Sequence, residues 1–310
     1  MNIASIDIGS NSFKLLIANI NNNLIIPVFQ LVRYPRLGEN LIHTHLISND
    51  SIKQAENAIA EIVDILSKQK PYKTLAIGTA VLRDAKNGNE VCDILSGLLG
   101  EQIRIIDGEE EAYLSYIGVQ TTPGFDKGKF STLDIGGGST EIITGEKNKI
   151  HYRISIPIGA AKIHDLFFKE NIYSEENIND ANDYISEKIQ ELNTEAVVRD
   201  AFFGVGGTIS TSAFISSGLK VFSEFELNGL NLNDKDLSSL INSLKVYSPN
   251  DISEKFGINP KRADILIPGQ LILKSILKYL QLENINISTR GLRFGIIQDY
   301  LNKSNLLQAY

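Results

Sequence analysis

One segment of this chain occurs twice. Ile6-Asp7-Ile8-Gly9-Ser10-Asn11-Ser12-Phe13-Lys14-Leu15-Leu16-Ile17 can be laid, without a gap, over Leu133-Asp134-Ile135-Gly136-Gly137-Gly138-Ser139-Thr140-Glu141-Ile142-Ile143-Thr144, so that Asp7 falls on Asp134. Asp, Ile, Gly and Ser are identical at four positions, and apolar residues match on both flanks. Each copy reads as strand, glycine-rich or polar turn, strand. A shared Asp-Ile-Gly alone would be unremarkable; the same strand, turn and strand around it point to a duplicated domain rather than a short-period repeat. A length of 310 residues accommodates two domains of ordinary size.

The flanking pattern predicts an α/β chain. Ile3 to Ile8, Phe13 to Ile20 and Leu24 to Val32 are apolar runs separated by turn residues, the second turn being Asn21-Asn22-Asn23, and they read as a β-meander. From Ser51 to Gln69, apolar residues at Ile52, Ala55, Ile59, Ile62, Val63 and Leu66 give a helical period. Thr74 to Ile77 and Ile103 to Ile106 read as strands, and Glu90 to Leu99 and Glu109 to Val119 as helices, the last with acids in its first turn, where the helix dipole favours them. In the second copy a strand is expected near Ile154 to Ile156 and a helix over Ala160 to Phe168. A polar, Asn-rich stretch follows from Asn171 to Asp183, then a helix to about Asn193. Ala201 to Thr208 reads as strand and glycine turn, Asp234 to Leu244 and Pro268 to Leu280 as helices, Ile285 to Ile287 as a strand, and Leu292 to Leu301 as a last helix. The hinge is expected within residues 120–129, rich in Thr, Pro and Gly.

Composition excludes several classes. A net charge of −7 argues against a generic nucleic-acid binder, while leaving room for an anionic substrate in a locally basic site. No uncharged apolar run is long enough to span a bilayer, and Met1 to Asp7 shows no basic region followed by an apolar one, so neither a membrane protein nor a signal peptide is expected. The single cysteine, Cys92, forms no internal disulfide, and the four histidines lack metal-ligand spacing. The expectation is a cytoplasmic protein. A homodimer is compatible with the sequence, which does not specify oligomeric state.

Three turns carry the candidate chemistry: Gly9-Ser10-Asn11-Ser12, Gly136-Gly137-Gly138-Ser139-Thr140 and Gly204-Val205-Gly206-Gly207-Thr208, each after an apolar strand. Glycine admits positive φ and close approach, so successive N–H groups can cradle phosphate oxygens, with Ser and Thr hydroxyls adding donors. Any one of them alone is equally a tight hairpin. Asp7 and Asp134 end their strands immediately before a turn; facing each other across a cleft they would suit Mg²⁺, although each can also cap its own turn. Glu141, amid Ile142 and Ile143, is costly unless paired or metal-linked, and Lys14 holds the matching place. Glu109-Glu110-Glu111 either solvates a helix start or offers a general base. Arg83, after Gly78-Thr79-Ala80-Val81-Leu82 in a passage from strand to loop, can clamp phosphate bidentately. Arg33, Arg36, Arg290 and Arg293 could add positive potential. His164-Asp165 stands alone and reads as structural.

Taken together, these segments resemble the Ppx/GppA family of exopolyphosphatases and guanosine pentaphosphate phosphohydrolases, from Ile3 to about Tyr300. Ile6 to Phe13 looks like the family's first phosphate motif and Asp134 to Glu141 like its second. Gly78 to Arg83 resembles the segment bearing a phosphate-contacting Arg. Gly108-Glu109-Glu110-Glu111-Ala112 resembles the segment bearing the catalytic Glu, which falls on Glu111. Arg36-Leu37-Gly38-Glu39 and Gly206-Gly207-Thr208 are similar to further family stretches.

The resemblance implies an actin-like (ribonuclease H-like, ASKHA) fold, two-lobed, with duplicated α/β domains around a cleft. Domain I would cover 1–122, completed by the C-terminal helix 292–310, and domain II 123–291. It implies Mg²⁺ held by Asp7, Asp134 and Glu141, water activated by Glu111, and polyphosphate or guanosine pentaphosphate as substrate. An ATP-dependent actin-like kinase and a non-catalytic alarmone or polyphosphate sensor are the alternatives. Two departures stand out. Phe294 in Gly291-Leu292-Arg293-Phe294-Gly295 takes the place of a usual Glu, and the chain stops at Tyr310, where longer members continue into an HD-like helical domain.

Overall fold

The computed structural model describes the whole chain apart from Asn23, Pro123, Gly124, Lys127, Asn148, Ala309 and Tyr310. Parts of the expected 120–129 hinge, of the Asn21-Asn22-Asn23 turn and of the end of the last helix therefore lie outside the described residues. The chain divides into one unit of residues 1–125 with 290–310, and a second of residues 126–289.

The first unit opens with β1 (Asn2–Ile8), β2 (Phe13–Asn21) and β3 (Leu24–Arg33), the expected meander. It continues through α1 (Leu41–Thr44), α2 (Asn49–Gln69), β4 (Lys73–Gly78), α3 (Ala80–Asp84), α4 (Gly88–Leu99), β5 (Ile103–Ile105) and α5 (Gly108–Gln120). The second unit holds β6 (Lys129–Ile135), β7 (Thr140–Glu146), β8 (Lys149–Ile156), α6 (Ala160–Phe167), α7 (Glu175–Lys188), β9 (Phe202–Val205) and α8 (Gly206–Ser217). There follow α9 (Glu224–Leu227), β10 (Asn231–Asn233), α10 (Asp234–Leu244), α11 (Pro249–Phe256), α12 (Pro260–Ala263), α13 (Leu266–Tyr279) and β11 (Asn284–Ile287). Finally α14 (Leu292–Gln308) returns to the first unit.

The two sheets are copies of one plan. The first runs β3-β2-β1-β4-β5; the second contains β8-β7-β6-β9-β11 in the same relation, with β10 added as an antiparallel edge. In both, the three hairpin strands pair antiparallel, and beyond the first of them two further strands run parallel to it. The match extends to irregularities: the register shift between Ile17 and Ala18 recurs between Thr144 and Gly145, the same place in the second copy. A bulge twists and bends its strand, so inheriting its position means inheriting the curvature of the edge.

Burial explains why these strands read as unbroken apolar runs. β1 is covered on both faces, as parallel central strands are. Ala4, Ile6 and Ile8 pack with Ala55, Ile59 and Ile62 of α2, while Ile3 packs with Phe294, Ile297 and Leu301 of α14. Phe294 is thus a fully buried core residue, with the Arg290 guanidinium stacked 4.6 Å from its ring centre. Helix α14 lies so close to α5 that a Cβ on Gly295 would overlap the carbonyl of Leu114, a crossing only glycine admits.

Three expectations need correction. The Asn-rich stretch is helical from Glu175, started by Ser174, whose hydroxyl accepts from Asn177 N. That cap offsets poor intrinsic propensity, by about 1 kcal/mol. The third glycine turn runs directly into a helix, α8, whose small side chains hid it. Arg83 sits on the short helix α3, not in a loop.

Candidate functional site

In the first unit the turn after β1 is closed by Gly9 N donating to Ser12 O at 3.1 Å, with Ser10, Asn11 and Ser12 buried. Its carbonyls are held from outside. Gly38 N donates to Ser10 O at 2.8 Å and Arg36 N to Asn11 O at 3.3 Å. The Arg36-Leu37-Gly38-Glu39 loop therefore props the turn. Asp7, 3% exposed at the end of β1, lies opposite Lys14 in the β1–β2 register, and Lys14 Nζ reaches its Oδ2 at 2.9 Å. A buried carboxylate needs such a partner, because desolvating it alone would cost several kcal/mol.

Next to β1, β4 ends at Gly78, and Thr79 N donates to Ile8 O at 3.2 Å. Helix α3 then carries Arg83, whose Nη1 donates to Ile106 O at 3.0 Å and stands 3.8 Å from Glu111 Oε2. The three adjacent acids of α5 separate into different roles. The helix is capped by Asp107, which accepts from Glu110 N at 2.7 Å. Glu110 binds Arg104 at 2.6 Å, and that hydrogen bond pushes the Arg104 guanidinium further above its usual range. Glu109 is exposed, whereas Glu111 is buried, 9% exposed, beside Arg83. The structure thus brings together the two residues singled out for catalysis.

In the second unit the turn after β6 closes in the same way, Gly136 N to Ser139 O at 2.9 Å. Its carbonyls are held by the start of α6: Ala160 N donates to Gly136 O at 2.9 Å and Ala161 N to Gly137 O at 3.0 Å. Thr140 Oγ1 donates to Ile158 O at 2.6 Å. Asp134 lies directly opposite Glu141 in the β6–β7 register. Glu141 is 2% exposed, and its Oε1 accepts from Ser155 Oγ at 2.8 Å. Asp134 is also beside Val205 of β9, so the next residue, Gly206, meets its carboxylate: a Cβ there would collide with Asp134 Oδ1, and φ is +87°. Gly206, Gly207 and Thr208 form the first turn of α8, where unsatisfied N–H groups and the dipole favour an anion. Arg262 of α12 reaches this turn, packing against Gly207 while its Nη1 donates to Thr211 Oγ1 at 3.0 Å.

A pattern characteristic of one protein family covers residues 16–304, under the description Ppx/GppA phosphatase family. The chain belongs to the Ppx/GppA phosphatase family. A bifunctional 3-dehydroquinate synthase/phosphatase of Fusobacterium nucleatum is 30% identical over 305 residues, covering 95% of this chain and 46% of that protein. A provisionally named exopolyphosphatase of Haemophilus influenzae is 30% identical over 301 residues, covering 95% of this chain and 90% of its own length. A guanosine-5′-triphosphate,3′-diphosphate pyrophosphatase of Aliivibrio fischeri is 26% identical over 296 residues, 94% of this chain and 58% of that one. This chain thus spans about half the length of the first and third relatives. Among solved structures, the Ppx/GppA member of Aquifex aeolicus aligns at a TM-score of 0.80 with 26% identity, covering 98% of this chain and 99% of that one. An exopolyphosphatase of Cytophaga hutchinsonii aligns at 0.88 with 25% identity, covering 98% of each chain. The expected α/β class, two sheets of duplicated plan with helices, is the fold this chain shares with these Ppx/GppA and exopolyphosphatase structures.

Other expected contributors find structural work. Arg33 is bound to Glu61, Arg290 donates to the carbonyls of Ile25 and Thr121, and Arg293 donates to that of Leu15. Arg36 stands 3.8 Å from Glu39. His164 lies 3.3 Å from Asp165. Among the described residues no three His, Cys, Asp or Glu side chains gather into a metal-binding group, and no helix is long and apolar enough to cross a membrane. Sequence reasoning missed the Asp7–Lys14 pair, the propping role of Gly38 and the approach of Arg262. Only the first had a local signal, because two strands joined at Ile8 and Phe13 must place residues 7 and 14 opposite each other.

Proposed function

We propose that this chain releases terminal phosphate from a phosphoanhydride chain, either inorganic polyphosphate or the triphosphate end of guanosine pentaphosphate, with Mg²⁺ as its metal and the cytoplasm as its compartment. The observation that carries this reading is the Arg83–Glu111 pair, a guanidinium and a buried carboxylate 3.8 Å apart at the start of α5. Phosphoryl transfer asks mainly for positioning and charge stabilisation. The turns at Ser10 to Ser12, Gly136 to Thr140 and Gly206 to Thr208 would hold phosphate oxygens through N–H and hydroxyl donors. Arg83 would turn from its ground-state partners to the phosphoryl group as charge develops there, and Glu111 would accept the proton of the attacking water.

The metal assignment rests on donor chemistry. Asp134 and Glu141 are oxygen ligands directly opposite on neighbouring strands, with Cβ atoms expected about 5 Å apart. Two like charges so placed repel, and a divalent cation relieves that repulsion. Mg²⁺ is commonly bound by one or two carboxylates plus water and substrate phosphate, and it would supply neutralisation of the phosphate oxygens. Asp7 receives no direct bond in this proposal, because Lys14 already holds its Oδ2.

The names of the relatives support both substrates and do not choose between them. Time-resolved phosphate release from polyphosphate and from guanosine pentaphosphate, with and without Mg²⁺, tests the reading and selects the substrate. Glu111→Gln is expected to lower turnover roughly 10²–10⁴-fold, the usual worth of a general base, with substrate binding retained. Near-normal turnover in that variant would remove Glu111 from the mechanism. The glycine turn opening α8 also suits a nucleotide, so an ATP-dependent kinase is the second reading. Phosphate release without any acceptor counts against it, and binding without release would instead indicate a sensor.

A further inference from the structure

The second unit has a groove of about 710 Å³ among α7, α10 and α13. Its size falls within the range of small-molecule sites, roughly 300–1,000 Å³. Lys245, at the end of α10, and Lys274 and Lys278, one turn apart on α13, line it over an apolar floor that includes Ile241 and Leu271. Elsewhere in the chain several helix-surface lysines sit beside an acid: Lys53 with Glu56, Lys68 with Asp64, Lys188 with Glu187 and Lys303 with Asp299. Lys162 and Lys255 reach the oxygens of Pro157 and Tyr247 instead, and Lys235, on the outer part of α10, stands alone among the described residues. Among the described residues the three groove lysines have no such partner. Helix α13 contains no acid at all, and its Lys274–Lys278 spacing is a like-charge pair that weakens an isolated helix by roughly 0.2–0.5 kcal/mol. The helix dipole rewards a cation only in the last turn, so it accounts for Lys278 and not for Lys274. The groove's acids, Glu175 and Asp183, are on the α7 wall, which leaves the α10–α13 wall cationic.

This groove is distinct from the glycine turns. Gly269 of α13 packs against Thr208, while Lys274 and Lys278 follow later on the same helix, about 140° and about 180° further round its axis. They therefore point away from the turn that Gly269 touches.

We propose that the groove among α7, α10 and α13 is a second phosphate-binding site, which takes the multiply charged phosphate group of a phosphate chain or a nucleoside polyphosphate as an effector. The choice of phosphate as the anion rests on the function proposed above; the unmatched lysines do not. The lysine wall holds the phosphate oxygens, and the amide of Asn182 opposite offers a donor and an acceptor to the rest of the ligand.

The test is equilibrium binding of inorganic tripolyphosphate and, separately, GTP to the full chain in chelator, comparing wild type with Lys274→Ser/Lys278→Ser and with Lys274→Arg/Lys278→Arg. The Ser pair is expected to lose one class of site or bind it roughly ten- to a hundredfold more weakly, and the Arg pair to retain it. Phosphate release at saturating substrate should be unchanged in both. A response to tripolyphosphate identifies a phosphate chain as occupant, and a response to GTP alone identifies a nucleotide; either upholds the site. Identical isotherms for wild type and the Ser pair with both ligands overturn it. If the wild type releases no phosphate yet the Ser pair loses binding, the reaction proposed above fails and the groove stands.

Discussion

The two hairpins begin alike and end differently. Each turn is closed by the same bond, Gly9 N to Ser12 O and Gly136 N to Ser139 O. Each is propped by the same bond from the segment after the third strand, Gly38 N to Ser10 O and Ala161 N to Gly137 O. The backbone of the turn is therefore duplicated, together with this support. The side chains behind it are not. Asp7 faces Lys14 across its strands, whereas Asp134 faces Glu141. The first copy pairs its aspartate with a lysine across the hairpin; the second sets two acids opposite each other, the pair to which the proposed Mg²⁺ is assigned. One duplicated frame thus carries an Asp–Lys pair in one copy and an Asp–Glu pair in the other, and the change lies at a single position.

Converting the second copy towards the first should have the largest effect. Glu141→Lys recreates the Asp7–Lys14 arrangement. It is expected to lower Mg²⁺-dependent phosphate release roughly 10³-fold, the scale of several kcal/mol of metal charge stabilisation. It should also abolish the rise in melting temperature on adding Mg²⁺, which the wild type should show if the ion binds the folded state. A variant that loses stability as badly as activity would mean that Glu141 is held for packing, and the contrast between the copies would have no bearing on metal.

The glycines after the parallel strands sharpen the same comparison at smaller cost. Gly78 and Gly206 are equivalent, following Ile77 beside Asp7 and Val205 beside Asp134. A Cβ on Gly78 meets the far end of the Leu82 side chain, which can move; a Cβ on Gly206 meets the Asp134 carboxylate, and φ there is +87°. Gly206→Ala should therefore destabilise by about 1–3 kcal/mol and weaken Mg²⁺ binding by displacing Asp134. Gly78→Ala should cost under about 1 kcal/mol. Urea midpoints of the two variants, with and without Mg²⁺, decide; equal shifts would show that the two turns are mechanically interchangeable.

How much of this could be read from the chain follows from how local each cause is. The hairpins were legible because β1 and β6 are apolar runs that meet glycine or small polar turns, and both the strand and the turn are local properties. Helix α10 was legible, Asp234 to Leu244, because its apolar positions recur at helical spacing. Helix α7 was not, since Asn and Asp are weak helix formers and only Ala181 and Ile185 of it are buried. Nor was α8, where Thr208 to Phe214 are all buried and leave no polar face to give a period. In the candidate site, the motifs named Asp134, Glu141, Arg83 and Glu111. The supports did not show, because Gly38 reaches Ser10, and Arg262 reaches Gly207, from distant stretches of the chain, across intervening strands or helices. Contacts of that kind depend on the assembled sheet.

The smallest expected effect lies at the sheet edges, where the copies again differ. β3 and β8 are equivalent edge strands: Ile26 lies opposite Asn19 in the first copy, and Lys149 lies opposite Glu146 at the matching place in the second. Val28 and His151 are the bulged residues of each. The outward positions of β3 are aliphatic, with Leu24, Ile26 and Val28 exposed by 59%, 45% and 51%, whereas β8 exposes Lys149, His151 and Arg153. Charged residues guard an edge against pairing with another chain, so β8 is protected and β3 is not. Ile26→Lys gives β3 the residue that β8 carries. Because that side chain already faces water, folding stability should change by no more than about 0.5 kcal/mol, read from the urea midpoint at low protein concentration. Light scattering at high concentration should show the same or less self-association than wild type. A loss above about 1 kcal/mol would mean that the exposed strip is packed against something in solution, and the two edges would then differ in partner rather than in protection.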